Sequence, residues 1–268
     1  MVRKLIKYDF SSYFRILMPV QVILIGIAAL NRIIQIFEKD ASNTYHIVFY
    51  SSLVLYIVSI AALLLMTTII AIVRFYQGMY SKEGYLSHTL PVTPTQHIFS
   101  KLLISVLFYL GSFIAIFLSF MVITLGDVNI EIFKAAGYLL KDYFDSLKFN
   151  GALYILELLV LLFALLFATL LKFYFCISVG QLVSRKRILL AFGVYFGIYM
   201  ASQLFGTIAI IIVSINPSWL VDLMAWFGNH AQIAMHIYLC SACLFEIALS
   251  VVYFIFTKLI MSKKLNLT

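Results

Sequence analysis

The chain has 268 residues, 64% of them hydrophobic and only 11% charged, and carries a net charge of +8. Soluble domains are roughly 45–50% apolar and about 25% charged, so this composition excludes a water-soluble fold and leaves lipid as the solvent. The basic excess contains no concentrated face beyond the short "SRKR" run, which is too small for a nucleic-acid footprint.

Val2 to Phe14 reads as an amphipathic interfacial helix. Leu5, Ile6, Tyr8, Phe10 and Tyr13 offer apolar surface, and Arg3, Lys4 and Lys7 can meet anionic head groups. This start has no small-residue cleavage site before the first long run, so no cleavable leader is expected. A crossing helix needs about 20 apolar residues to span roughly 30 Å of hydrocarbon. The first such run covers about 16–37, with Pro19 in its opening turn and Arg32 near its end. A short external loop follows, and then a charge-free second span over about 47–73.

Between the second span and the third, at about 102–125, lies the polar stretch "RFYQGMYSKEGYLSHTLPVTPTQHIFSKLL". Phe75, Met79 and Leu86 recur at near-helical spacing, with Gln77, Ser81, Lys82 and Glu83 between them, which suits a short helix across the membrane surface. Gly84 would interrupt or end it. Pro91 and Pro94 stiffen the return, Pro91 turning Leu90 away from α geometry. Two readings fit: a projecting knob on which another protein docks, or a tidy interfacial turn without a partner.

The segment from Asp127 to Asn150 is mixed in charge and amphipathic, as expected of a surface helix on the outer leaflet. The fourth span, about 152–180, is broken by Glu157, near the outer surface and expected to reach water, and by Lys172, expected to snorkel toward the cytoplasmic interface. The fifth, about 188–214, carries Gly193 and Gly197 four residues apart, a spacing that lets helix backbones approach closely within a protomer or between subunits. Asn216 then caps a start with Pro217 in its first turn, and the only two tryptophans, Trp219 and Trp226, follow. This piece is either a re-entrant element in the outer leaflet or the top of the fifth helix and a loop. The sixth span, about 234–258, holds Glu246 near its middle, where a carboxylate is costly: either a protonated or hydrogen-bonded residue facing the interior, or a polar point on a translocation path. Cys176, Cys240 and Cys243 lie inside spans and read as small packing residues.

With six spans, fourteen of the 19 basic residues fall on the side holding both termini and the polar stretch, and five on the other. That bias puts both termini in the cytoplasm. No "GxxxxGK[ST]" phosphate loop, "HExxH" zinc pair or "GxSxG" elbow occurs, and the five histidines do not cluster at ligand spacing. Nothing in these residues argues for an enzyme.

The run Glu83-Gly84-Tyr85-Leu86, then Leu90-Pro91-Val92-Thr93, then Lys101-Leu102-Leu103 resembles the "EGTL…LPVS…KLL" pattern of type-2 ABC exporter permeases. The opening "LIKYDFSSYFRILMPVQVILI" is similar to that of small bacterial permeases of the same group, in which an interfacial helix precedes the first span. Tyr85 departs from the pattern, which has a small threonine there. Identity at motif level covers about 5–22 and 74–103, whereas the likeness in topology extends over the whole chain.

The resemblance implies a single six-helix transmembrane domain over 1–268, with a cytoplasmic coupling helix between the second and third spans and an outer re-entrant element between the last two. It implies export driven by a separate ATP-binding subunit that carries ATP and magnesium, leaving this chain without cofactor or catalytic residue. A second permease subunit, identical or different, would complete the pathway in the cell membrane. Phe75, Tyr76, Met79 and Tyr80 would fill a groove on the ATPase, Glu83 would meet a basic group there, and Lys82, Gly84, Tyr85 and Leu86 would complete the contact. Apolar walls suit an amphipathic peptide, a lipid-like compound or a drug. The alternatives are an ATP-independent carrier or channel, a membrane-embedded enzyme, and a non-transporting accessory subunit.

Overall fold

A computed structural model describes residues 2–36, 43–81, 93–125, 127–147, 149–183, 185–215 and 217–263. Eight helices occupy them: α1 Val2–Ile36, α2 Asn43–Tyr80, α3 Pro94–Ile123, α4 Asp127–Leu147, α5 Phe149–Gly180, α6 Arg187–Ile215, α7 Pro217–Asn229 and α8 Ala231–Lys263. No strand occurs among the described residues. Six of the helices, all but α4 and α7, are long and apolar enough to cross a membrane. The protein is an all-helical, multi-pass membrane protein.

Two boundaries differ from the expectation. The interfacial helix and the first span are one continuous 35-residue helix with Pro19 inside it, about 52 Å long at 1.5 Å per residue. Its inward face passes through Asp9, Tyr13, Leu17, Leu24, Ala28 and Asn31, all buried, with no shift of phase where the polar opening meets the apolar run. Likewise α2 has 38 residues, about 57 Å at the same rise. That exceeds the roughly 30 Å hydrocarbon layer, so its last turns extend past the second span.

The chain packs as two compact units, 1–142 and 143–268. In the first, α1, α2 and α3 lie against one another. One cluster joins Leu24, Ala28, Tyr56, Leu63, Ala115 and Ile123; another joins Tyr13, Leu17, Ile70, Ile104 and Phe108. Lipid is as apolar as leucine, so burial alone does not drive such packing; close approach and interhelical hydrogen bonds do. Here α3 supplies three serines seven residues apart, each fully buried: Ser105 meets Tyr13 Oη at 3.0 Å, Ser112 meets Thr67 at 3.0 Å, and Ser119 meets Tyr56 Oη at 2.8 Å. Seven residues is two helical turns, so one stripe of α3 hydrogen-bonds to both neighbours. Asn31 and Ser52 close the far end of the α1–α2 contact at 2.8 Å.

In the second unit α5 packs along α8, with α6 beside α5 and the 13-residue α7 joining α6 to α8. The helix α7 carries Trp219 and Trp226; the expected Asn216 cap lies outside the described residues. Every described residue of α4 from Ile130 to Asp142 is exposed.

Candidate functional site

The polar stretch between the second and third spans is held at its base by a buried junction of three helices. Asp9 comes from the third turn of α1, Lys101 from the third turn of α3, and Gly78 from the last turn of α2. The Lys101 ammonium donates to Asp9 Oδ1 at 3.1 Å, with the two side chains 5% and 12% exposed, and Ser100 donates to Asp9 Oδ2 at 3.4 Å. A side chain at position 78 would occupy the space of Lys101: a Cβ there would clash with Nζ and stand 2.6 Å from Cε. Glycine at 78 is therefore a matter of close approach, since it leaves the volume through which the lysine reaches the aspartate.

Above this junction α3 starts cleanly. The Thr93 hydroxyl oxygen caps it by accepting from the Gln96 backbone N–H while Gln96 Oε1 accepts from the Thr93 N–H, and Pro94 takes the first turn, where no amide is needed.

The residues expected to touch a partner divide. Phe75 and Met79 are fully buried, Tyr80 is buried edge-on against Phe75, and Tyr76 is half-buried. The outward aromatic face expected of Phe75, Met79 and Tyr80 is thus turned inward. Because α2 does not break after residue 73, Phe75 and Met79 continue the inward face of Leu63, Thr67, Ile70 and Ala71 at spacings of three and four. Tyr76, Gln77 and Ser81 face outward more than these. Lys82, Glu83, Gly84, Tyr85 and Leu86 lie outside the described residues.

In the second unit, α5, α6 and α8 enclose a cavity of about 280 Å³. Glu246 from the middle of α8 lines it, as does Lys172 from α5. The Lys172 Nζ stands 5.4 Å from the centre of the Tyr195 ring on α6. Glu157, partly exposed, lies 2.8 Å from His236 Nδ1, with Tyr154 stacked on the imidazole at 4.2 Å. The thiols of Cys240 and Cys243 both point at Glu157, 3.8 Å from a carboxylate and a carbonyl oxygen respectively. All three cysteines are free thiols. At Gly193 and Gly197 an added Cβ would meet nothing within 4 Å among the described residues.

The Asp9–Lys101 and Glu157–His236 pairs join residues 92 and 79 positions apart, and no local spacing announces either. The serine stripe did leave a signal, the only hydroxyls at seven-residue intervals in an otherwise apolar span. Compared with protein-family models, curated proteins and solved structures, the chain matches none of them.

Proposed function

We propose that this chain is the permease subunit of an ATP-binding-cassette exporter, with ATP hydrolysed by a separate subunit that docks on the segment between α2 and α3. The observation that carries the reading is the buried junction at the base of that segment. Gly78 and Lys101, flanking its two ends, lie against each other, and Lys101 pairs with Asp9 of the N-terminal helix. A push on the segment would pass into α1, α2 and α3 together, because a buried ion pair and a packed serine stripe allow no slack between them. The motif over Glu83–Leu86, Leu90–Thr93 and Lys101–Leu103 supports the same reading from sequence.

On this proposal the start of α1 lies at the cytoplasmic interface of the cell membrane, both termini are cytoplasmic, and the coupling helix spans about 76–86. The element around α7 dips into the outer leaflet. The contact with the ATPase uses Tyr76 and the segment Lys82–Leu86, with Glu83 against a basic group. A second permease subunit completes the path, and the uncovered glycine face of α6 is open to it. The cargo is an amphipathic peptide, a lipid-like compound or a drug.

Glu83→Lys tests the reading: ATP hydrolysis should persist in the assembled complex while transport is lost. Unchanged transport would sink the proposed contact. One observation favours a second reading. An acid and a base share an intramembrane cavity, which is what an ATP-independent carrier would need. Transport by the purified chain alone, without an ATPase, would decide for that carrier.

A further inference from the structure

The cavity between α5, α6 and α8 has a composition that packing alone does not explain. Seven of its twelve lining residues are polar or ionisable, among them Lys172, Tyr195, Tyr199, Glu246 and Tyr253. Their helices are otherwise apolar enough to cross a membrane, and Glu246 falls at the centre of the α8 span. An ionised group at that depth is costly and is normally neutralised by a partner. Two opposite charges in one cavity would be expected to neutralise each other, yet among the described residues no ion pair within 4 Å engages either Lys172 or Glu246. Lys172 is instead held to the wall by the face of Tyr195. The cavity therefore holds a cation and an anion without a direct ion pair between them, alongside hydroxyls and aromatic faces.

Size and access narrow the ligand. At about 280 Å³ the cavity is at the small end of ligand pockets, which run from roughly 300 to 1,000 Å³, so it suits a head group better than a whole drug-sized molecule. Tyr199 and Phe245 at its edge are more than half exposed, so the cavity opens sideways on an apolar surface. A ligand whose chain remains among lipid tails can present its head there.

We propose that this cavity binds the head group of a zwitterionic amphiphile, with its phosphate against Lys172 and its primary ammonium against Glu246. The carboxylate accepts N–H donors from the ammonium, Lys172 donates to the phosphate, and the tyrosine rings favour the cation. Each ligand charge supplies a direct ion-pair partner to a residue that has none among the described residues. The assignment is independent of the exporter reading, since it requires no ATPase and no motion.

The test uses the full-length chain in nanodiscs containing comparable amounts of phosphatidylethanolamine and phosphatidylglycerol. Native mass spectrometry reads the lipid retained after release. The wild type should retain phosphatidylethanolamine in preference by about tenfold, the scale of one charge-assisted contact. Glu246→Gln should abolish the preference or turn it toward phosphatidylglycerol. Lys172→Met should lower retention of both lipids. The exchange of Lys172→Glu with Glu246→Lys keeps both charges and should keep the preference. Displacement by free phosphoethanolamine would show that the head group alone suffices and can arrive from water; retention only of the intact lipid would place the source in the bilayer. Equal retention of the two lipids by the wild type, which requires no variant to fold, would overturn the proposal. So would an unchanged preference in Glu246→Gln.

Discussion

Lys101 is almost fully buried, and among the described residues Asp9 is the carboxylate within reach of its ammonium, at 3.1 Å. Removing one member of such a pair strands the other charge, at a cost of about 3–5 kcal/mol. An interhelical hydrogen bond in a membrane averages only about 0.6 kcal/mol, so the pair outweighs any single rung of the serine stripe by several-fold. Lys101→Met should therefore lower stability by about 3–5 kcal/mol, and Ser112→Ala by under about 2 kcal/mol, in denaturant titrations of the detergent-solubilised chain. The double change Asp9→Leu with Lys101→Met should recover much of the loss, because it leaves no unpaired charge. The glycines give an independent check with opposite signs. Gly26 has nothing within 4 Å of an added Cβ, so Gly26→Ala should stabilise α1 by up to about 1 kcal/mol. Gly78→Ala would force Lys101 off Asp9 and should destabilise. Equal melting temperatures for the two glycine variants would contradict the junction. None of this was legible in the sequence: Gly78 reads as one more residue of a polar turn, and its partner lies 23 positions further on, on another helix.

At the scale of elements, what could be read depended on whether a signal was local. Long apolar runs reveal crossing helices because the hydrocarbon layer demands length. The capping box at Thr93 is local too, and Thr93→Ala should cost about 1 kcal/mol. It should also speed hydrogen exchange at the amides of Thr95 to His97 while leaving the middle of α3 unchanged. The amphipathic α4 was likewise legible from periodicity. On a helical projection Glu131, Lys134, Lys141, Asp142 and Asp145 fall on one side, and Ile132, Phe133, Ala136, Leu140 and Phe144 on the other. A peptide of residues 127–147 should be largely unfolded in buffer and helical on vesicles, read by circular dichroism. Equal spectra in the two conditions would show that lipid is not what its apolar face covers. Helix ends were less legible. The breaks expected after Phe14 and near Val73 are absent, because in α1 and α2 the inward face keeps its phase past the point where composition turns polar. That continuity is also why Phe75 and Met79 are core residues and not an outward docking face.

For the whole molecule, six crossing-length helices and the two packed units are what any function must work through. The exporter reading joins three features: the motif in the α2–α3 segment, the ion pair at its base, and the absence of a phosphate loop from the sequence. If ATP binding elsewhere drives this chain, a nucleotide-binding subunit must be attached to it. The direct measurement is a gentle pull-down of the tagged full-length chain from its native membrane, followed by mass spectrometry and an ATPase assay. The expected result is a stoichiometric ATP-binding subunit with ATPase activity, both lost when residues 76–86 are replaced by a neutral linker. Recovery of the chain without an ATPase under those mild conditions would contradict the exporter reading and leave the segment between α2 and α3 as a turn.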